Sequence, residues 1–341
     1  MKTKKLRVMM LVHGDLVPPE EPLDADDPRL DKVRTEYDVR NALQTLGHPV
    51  RVVPVEDDLA PIRATIEEWK PDIAFNLLED FAGNAAFDHY VVSYLGMLKV
   101  PYTGCNPRGL LLARDKALSK KLLSYHRIKV PLFRVFRWGR TVPLKEVRNL
   151  PYPMVVKSLL EQGSVGIAQA SVVNDPEELS QRVIQVQEMT GGDAIVEQYI
   201  DGRELYVTVI GNQRLQVLPV RELTFGDVEQ GEPRIATYKV KWDPKYRARH
   251  RIDYQFVRTL PAGLADTIPR LCKRIYRILD LSGYARIDLR LGRDGRLYVL
   301  EANPNAALSS IDDMAFSAER AGMNYPQFIQ RLLNLGLNAG N

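Results

Sequence analysis

Residues 284–303 read YARIDLRLGRDGRLYVLEAN, in which polar and apolar side chains alternate on both sides of an Asp294-Gly295 dipeptide. Asp-Gly is typical of a two-residue type I′ turn, so the stretch is predicted to fold as an antiparallel hairpin. In that register Asp288 lies directly opposite Glu301 on one face of the ladder. The other face is predicted to be core and comprises Ile287, Leu289, Leu291, Tyr298, Leu300 and Ala302.

The polar face of this hairpin concentrates charge, because Arg286 opposite Asn303 stands beside the pair of acids. Two carboxylates that face each other in a ladder repel and destabilise the sheet unless a cation neutralises them. Carboxylate and amide oxygens suit a hard divalent ion such as Mg2+ better than zinc. The stretch therefore predicts a metal site of Asp288, Glu301 and Asn303. The alternative is a solvated face on which Arg286 alone compensates the two acids.

The overall composition is that of an ordinary soluble enzyme of two or three domains, with 341 residues, 45% of them apolar and 26% charged. A net charge of +4, with acids and bases interspersed, does not require a nucleic-acid partner. Cys105 and Cys272 have no CxxC partner and are expected to be free thiols in a reducing compartment. Residues 6–12 are predicted to form a strand and not a signal peptide, and no stretch is apolar for long enough to span a membrane. A cytoplasmic location is expected.

Strands and helices alternate in the first part of the chain. Strands are predicted over 6–12, 50–55 and 72–77, and helices over 35–46 and 62–69. This order predicts a Rossmann-like parallel sheet over 1–105, with functional groups at the carboxyl ends of its strands. Asn76 and Glu79 lie at such an end. The long acidic segment 15–31 is interpreted either as a substrate lid or as a disordered insertion.

Beyond residue 105 the pattern changes to short strands and helices, with a second hairpin signal at Asp201-Gly202. These elements predict a small mixed domain over 106–195 and a further domain over 196–341 that contains the metal hairpin. Residues 224–251 contain charge, Gly and Pro but little periodicity, which predicts a long mobile loop inside the last domain.

Lysines and a glycine loop indicate an anion site. Lys157 ends an apolar strand and precedes a loop with Gly163 and Gly166, whose backbone N–H groups can approach an anion closely. Lys116 and Lys241 add cations for phosphate oxygens. Taken singly, each lysine is a solvated surface residue and the loop an ordinary turn, so the prediction depends on their combination.

Several motifs occur in a characteristic order: PYTG (101–104), DK (115–116), SK (119–120), VK (156–157), Glu161 with GSVG (163–166), EQYIDGRE (197–204), YKVKW (238–242), ARID (285–288) and EANP (301–304). With them the chain resembles an ATP-grasp ligase of the D-alanine–D-alanine ligase type over essentially its whole length. The resemblance implies an α/β (α+β) protein, in which an N-terminal Rossmann-like parallel sheet is followed by a two-part ATP-grasp fold. It also implies an ADP-forming ligase.

The resemblance assigns roles to most of the residues singled out above. The nucleotide-binding set comprises Lys116, Lys157, Glu161, Glu197, Gln198, Tyr199, Ile200, Glu204 and Lys241. In this set the lysines contact phosphates, Glu197 with the backbone near Ile200 reads the adenine edge, and Glu204 holds the ribose. Two Mg2+ ions, for which Mn2+ could substitute, are held by Asp288, Glu301 and Asn303.

The implied reaction joins a carboxylate to an amine in two steps. The carboxylate takes the γ-phosphoryl group of ATP, and the amine then attacks the acyl phosphate to give an amide. The catalytic set comprises Arg286, Lys241, Gly163 and Ser164, with Arg286 facing the tetrahedral oxyanion. Water must be excluded, so residues 15–31 and the loop around Lys241 are candidate lids. Two other interpretations are a kinase-like phosphotransferase without ligation and a non-catalytic nucleotide-binding or nucleic-acid-binding module.

Departures from the family pattern concern the substrates and not ATP. The D-alanine enzymes have a Glu after the first strand, a Ser in the glycine loop and a Tyr in the mobile loop. At those places this chain has HGDL (13–16), Gly163 and Trp242. Asp312-Asp313 stands where the family has the Ser-Leu pair that receives the second substrate's carboxylate. We therefore predict a rebuilt amino-acid site that disfavours free D-alanine as acceptor, with an authentic D-alanine–D-alanine ligase as the alternative.

The candidate substrate-binding set comprises Asn76, Glu79, Trp242, Asn305, Asp312 and Asp313. The acids at 312 and 313 either attract an amine acceptor with a cationic group or cap the following helix and face water. The predicted partners are small-molecule carboxylates and amines, with no nucleic acid and no membrane. The resemblance also implies a homodimer formed through the first domain.

Overall fold

The computed structural model describes residues 4–24, 27–140, 142–161, 163–226 and 233–338. Its strands are β1 (Val8–His13), β2 (Val50–Val55), β3 (Ile73–Asn76), β4 (Phe133–Phe136), β5 (Met154–Ser158), β6 (Val172–Val173), β7 (Ala194–Gln198), β8 (Gly202–Ile210), β9 (Gln216–Val217), β10 (Arg221–Phe225), β11 (Ile252–Phe256), β12 (Tyr284–Gly292) and β13 (Leu297–Asn303). Its α-helices are α1 (Leu30–Thr45), α2 (Ala60–Trp69), α3 (Asp88–Met97), α4 (Pro107–Arg114), α5 (Lys116–Tyr125), α6 (Pro176–Thr190), α7 (Tyr238–Trp242), α8 (Pro244–Arg249), α9 (Leu264–Ile278), α10 (Asp313–Arg320) and α11 (Tyr325–Leu337). None of these helices has the length and apolar character needed to cross a bilayer.

The first sheet is parallel, with strand order β2-β1-β3, as predicted. Strand β1 is a continuous apolar run because it is covered on both faces. One of these covers comes from the far end of the chain, since Phe328 and Ile329 of α11 share a core with Val8 and Met10. The core of the predicted first domain is therefore completed by residues beyond 196.

The described part of segment 15–31 is tied to helix α1. A guanidinium N–H of Arg40 donates to the carbonyl oxygen of Pro18 at 3.2 Å, and the backbone N–H of Leu23 donates to the hydroxyl of Tyr37 at 2.6 Å. These contacts argue against a disordered insertion here. Residues 25 and 26 lie outside the described residues.

Two antiparallel sheets follow, with strand orders β4-β7-β5-β6 and β11-β10-β8-β12-β13, where β9 pairs with β8. Helix α6 packs Leu179 and Val183 against the smaller sheet, and α9 packs Ile268 and Ile275 against the larger one. The predicted boundary between residues 195 and 196 falls inside β7, a strand of the smaller sheet. The two sheets enclose the site described below.

The hairpin of β12 and β13 has the predicted register at its functional end. Asp288 pairs with Glu301 and Arg286 with Asn303. The predicted type I′ turn is wrong, however. The N–H of Gly292 donates to the carbonyl of Arg296, which leaves a three-residue loop.

An irregularity between the loop and the metal end restores the register, since Leu289 pairs with Val299 instead of Leu300. Val299 is therefore buried in the core beside Leu289. The predicted core positions of Tyr298 and Leu300 are wrong: the Tyr298 hydroxyl donates to Asp294, and Leu300 lines the cavity described below. The bulge turns one more apolar residue toward the site.

Segment 224–251 contains regular structure where a long loop was predicted. Strands β10 and β11 pair with each other at its two ends, and α7 and α8 lie between them. The Thr237 hydroxyl caps α7 by accepting from Val240 N–H, and Asp243 caps α8 by accepting from Tyr246 N–H. The loop prediction is thus wrong over α7 and α8. Residues 227–232 lie outside the described residues, and the mobility of the segment stays a prediction.

We expect Gly336→Ala to destabilise the protein by about 1–3 kcal/mol, because overpacking at a rigid contact has that cost. A Cβ at Gly336 of α11 would lie 2.5 Å from the backbone oxygen of Tyr102, beside the first sheet. Gly96→Ala is the matched control: this glycine is also the next-to-last residue of its helix, α3, and a Cβ there meets nothing within 4 Å. Urea midpoints should fall for the first variant and stay level or rise for the second. Equal midpoints would contradict the proposed docking of α11.

Candidate active site

A cavity of about 610 Å3 lies between the two antiparallel sheets. Among the residues predicted from the sequence it brings together Lys157, Ser164, Glu197, Gln198, Tyr199, Ile200, Glu204, Lys241, Asp288 and Glu301. Apolar side chains, including Val155, Ile235 and Leu300, complete the lining. The cavity therefore combines apolar walls with opposite charges.

Glu197 on β7 holds two lysines in this cavity wall. Lys157 Nζ lies 3.1 Å from its Oε2, and Lys120 Nζ lies 3.1 Å from its Oε1. Burial acts to raise the pKa of Glu197, but the two lysines overcome this effect and lower it. Against the effect of burial, Glu197 in turn raises the pKa of Lys157. The carboxylate thus positions cations, a task that the sequence did not assign to it.

Lys120 was missed as a site residue. Asp115 begins α5 by accepting hydrogen bonds from two backbone N–H groups, which places Lys116 and Lys120 one turn apart on its buried face. Lys116 Nζ donates to the carbonyl oxygen of Glu161, and Lys120 Nζ to that of Leu300. Burial lowers the pKa of Lys116 to about 8. The spacing of the two lysines was the signal that could have revealed the second one.

Asp288 is buried and Glu301 is partly buried, and different charged groups surround the two carboxylates. Arg286 donates to both oxygens of Asp288, from Nε at 2.8 Å and from Nη2 at 2.9 Å. Burial nevertheless raises the pKa of Asp288. Burial also acts to raise the pKa of Glu301, but the charges of Lys116 and Lys241 outweigh this effect and lower the pKa. The pair is therefore surrounded by cations on both sides.

The donor set at this pair fits Mg2+. Two carboxylates stand beside the amide of Asn303, whose Oδ1 accepts from the N–H of Asn305 at 3.1 Å. Within the described ranges, no group of three or more His, Cys, Asp or Glu side chains could hold a metal ion. Mg2+ is commonly bound by one or two carboxylates and takes its other ligands from phosphates and water. Asp288, Glu301 and Asn303 match this pattern of ligands.

Arg290 is a second residue that sequence reasoning missed. Its Nη1 lies 2.6 Å from Glu204 Oε2, and its Nε donates to the carbonyl oxygen of Ile200 at 2.8 Å. The Tyr206 hydroxyl donates to the other oxygen of Glu204 at 2.8 Å. Arg290 lines the cavity and lies two positions after Asp288 on the same strand, which was the available signal. Glu204 is thus fixed in place for the ribose contact predicted for it.

The glycine loop is fastened to the segment around α7. Trp242 Nε1 donates to the carbonyl oxygen of Gly163 at 2.9 Å, and the Ser164 hydroxyl donates to that of Ala236 at 2.7 Å. Gly163 and Ser164 both have positive φ, which turns the loop sharply over the cavity. Lys241 lines the cavity in this arrangement. Residue 162 of the motif lies outside the described residues.

A second cavity of about 890 Å3 adjoins the first across this loop. It brings together Glu79, Trp242 and Asn305 of the predicted substrate set, with Glu161 and Gly163 from the loop. The amide of Asn305 donates to the carbonyl oxygen of Leu78, so β13 and the end of β3 meet here. The two cavities therefore lie on either side of the glycine loop, which contributes Ser164 to the first and Gly163 to the second.

Three members of the predicted substrate set, Asn76, Asp312 and Asp313, make contacts within the protein. Asn76 is buried, and its side-chain oxygen accepts from the N–H of Leu78 at 3.3 Å. Asp312 accepts from the N–H and hydroxyl of Ser309, at 2.9 and 2.6 Å. Although Asp312 occupies the N-cap position of α10, its side chain does not cap the helix.

Asp313 lies between two arginines. It is 3.3 Å from Arg221 Nη1 and 3.8 Å from Arg286 Nη1, and its side chain is only 14% exposed. Neither interpretation of Asp313 made from the sequence, a water-facing cap or a ligand for a substrate cation, agrees with these contacts. Its negative charge is compensated by two arginines of the protein itself.

Comparison with known proteins gives consistent results. Residues 128–334 match the family model for the D-ala D-ala ligase C-terminus. The chain is 33% identical over 306 residues to an uncharacterized protein, y4sG, of Sinorhizobium fredii, covering 86% of this chain and 84% of that protein. It is 32% identical over 271 residues to the D-alanine–D-alanine ligase of Desulfotalea psychrophila, covering 78% of each. The crystal structure of the Bacillus anthracis D-alanine–D-alanine ligase complexed with ATP shares the fold, with a TM-score of 0.75 at 20% identity over 98% of both chains.

We expect Lys120→Met to destabilise the protein by about 3 kcal/mol, because removing one partner leaves a buried carboxylate undercompensated. The exposed neighbour Lys121 supplies the control, and Lys121→Met should change stability by less than about 0.5 kcal/mol. Adding Glu197→Gln to Lys120→Met should recover part of the loss. Thermal unfolding measures all three, and a loss that is the same for both lysines would refute the buried pair.

Proposed function

Because the chain belongs to the D-alanine–D-alanine ligase family, we propose that its smaller cavity binds ATP and its larger one the two molecules that it joins. The protein is an ATP-dependent, ADP-forming ligase of the ATP-grasp type, with ATP and Mg2+ as cofactors. The family, fold class and reaction class predicted from the sequence are thereby confirmed. The roles of individual residues and the identity of the substrates are the subject of the proposal.

The convergence of lysines around Glu301 carries the nucleotide assignment. The charges of Lys116, Lys241 and Lys157 all act on this carboxylate, and Lys157 and Lys241, from two different elements, line the same cavity as Glu301. Polyphosphate needs several cations that approach from different directions. We assign the three lysines to the phosphates and Glu204, with Glu197 and the backbone at Ile200, to the nucleoside.

Asp288, Glu301 and Asn303 are assigned to Mg2+. When bound, the metal neutralises phosphate charge and helps to align the γ-phosphoryl group with the attacking carboxylate. The protein's own part is to hold the two carboxylates at fixed positions on paired strands, with Arg286 clamping Asp288 from the adjacent position. This rigidity keeps the reacting groups aligned.

Arg286 is also assigned to the oxyanion of the acyl intermediate. Its Nε and Nη2 are engaged by Asp288, whereas its Nη1 is 3.8 Å from Asp313, beyond hydrogen-bonding distance. Nη1 is therefore the donor that can face a developing negative charge. The fastening of Gly163 to Trp242 would keep water away from an acyl phosphate formed there.

Location and assembly are part of the proposal. The buried thiols of Cys105 and Cys272, both free, support a reducing, cytoplasmic setting. A homodimer through the first domain is supported by the exposed Tyr90 and Met97 of α3. Neither nucleic acid nor a membrane is needed for the assigned chemistry.

A screen of carboxylates tests the ligase assignment. With ATP, Mg2+ and hydroxylamine as a general amine, the enzyme should release ADP and form a hydroxamate from its own carboxylate substrate. Glu301→Gln should reduce the rate by about 100-fold or more, since lost metal ligation costs at least as much as lost support of a ligand. Glu319→Gln, at an exposed position of α10, should retain full activity.

The products distinguish the competing interpretations. A stable phosphorylated compound without hydroxamate would indicate a phosphotransferase, and an absence of ADP release with every carboxylate would refute the ligase assignment. Efficient D-alanyl-D-alanine formation would refute the rebuilt amino-acid site. Arg286→Ala is unsuitable for this distinction, because it also frees Asp288.

A further inference from the structure

The larger cavity, which we call the substrate cleft, has an acidic wall. Glu79, Asp80 and Glu161 line it, together with one cation, Arg114. Arg114 is buried and forms an ion pair with the buried Asp88. Its charge is therefore already compensated, and the cleft presents a surplus of negative charge to a substrate.

Two arginines that do not line the cleft, Arg221 and Arg286, also have carboxylate partners. Arg286 is bound to Asp288, and it shares Asp313 with Arg221. Arg221 and Arg286 are both largely buried, so neither can swing outward to a new partner. In the part of the chain that the structure describes, Arg114 is the arginine that lines the cleft, and Asp88 already pairs with it. A carboxylate on the acceptor would have Glu79, Asp80 and Glu161 as neighbours, which repel it.

Two aromatic side chains also line the cleft. Tyr238 and Trp242 are 53% and 57% exposed, and their ring centroids lie 6.4 Å apart. Aromatic rings beside carboxylates are a typical setting for organic ammonium groups. In addition, Asp80 Oδ1 is shielded from solvent and has no hydrogen-bond partner among the described residues. These features fit a positively charged ligand.

We propose that the amine acceptor is an organic cation without a free carboxylate, such as a diamine or an amine bearing a second basic group. This inference rests on the proposed function and names the substrate class of its second step. The neutral amine attacks the acyl carbon and forms the C–N bond, while the bond from that carbon to the phosphate oxygen breaks. One proton passes from the nitrogen to the departing phosphate, and the second amine stays protonated against the acidic wall.

Three probes with the same CH(CH3)NH2 unit isolate the charge of the acceptor. Alanine carries a carboxylate, alaninamide is neutral at that position, and 1,2-diaminopropane carries a second amine. We expect affinity to rise in this order, by at least about tenfold from the first to the last. Both enantiomers of each are titrated by calorimetry at about pH 8 into the full chain with a non-hydrolysable ATP analogue and Mg2+. Alanine binding as tightly as 1,2-diaminopropane would overturn the proposal.

Charge variants test the same point from the side of the protein. Asp80→Asn and Glu79→Gln should each weaken 1,2-diaminopropane about tenfold and leave alaninamide nearly unchanged. Asp313→Asn should improve alanine binding, because Arg221 and Arg286 then lose a shared carboxylate. If Asp313→Asn does not fold, the effect of Asp80→Asn on 1,2-diaminopropane binding decides the test. Unchanged 1,2-diaminopropane binding in both acid variants would refute the acidic wall as the determinant.

The two proposals fail in different ways. Hydroxamate formation tests the ligase assignment without the natural acceptor, whereas the probe series tests the acceptor by binding and needs no turnover. Glu319→Gln serves as the control here as well, since its exposed carboxylate lies outside the cleft. Hydroxamate formation combined with a preference for alanine would retain the ligase and overturn the cationic acceptor.

Discussion

Two carboxylates that face each other across β12 and β13, one buried and one partly buried, are the constraint on which the active site depends. The like charges of Asp288 and Glu301 oppose the pairing of these strands. Nearby cations offset this repulsion: Arg286 forms an ion pair with Asp288, and the charges of Lys116 and Lys241 act on Glu301. Those cations lie where we propose that phosphate and metal bind, so the groups that compensate the charge of the hairpin are also those proposed to take part in the reaction. The stability of this sheet and the chemistry of the site cannot be varied separately.

The pairing of Asp288 with Glu301 could be predicted from the sequence, although the two-residue turn on which the prediction was based does not form. A three-residue loop shifts the register by one position, and a bulge near Leu300 shifts it back. Residues between these two irregularities, Tyr298 and Val299, therefore exchange the faces predicted for them. Alternation alone cannot show a bulge, because the bulge depends on which side chain fits the core beneath it.

Charged residues with partners on distant elements were the hardest to predict. A lysine is solvated by default, yet Lys120 of helix α5 is buried, with Glu197 of strand β7 as its partner. The same holds for Asp313, for which the sequence leaves open a helix cap or a ligand for a substrate cation, and which the fold places against Arg221 of β10. By contrast, the residues assigned to the nucleotide could be singled out from the sequence because they stand in short motifs, and most of them line one cavity in the structure.

Arg286 joins the two halves of the site. Two of its nitrogens hold Asp288 at the metal end, and the third approaches Asp313 at the amine end. An acceptor carboxylate would have to compete with Asp313 for this guanidinium. Asp313 is already in place and is also held by Arg221, so it loses little entropy in the contact, whereas a free substrate must be immobilised first. The predicted change in the substrate half is thus supported by one aspartate placed within reach of Arg286, the arginine that also holds Asp288.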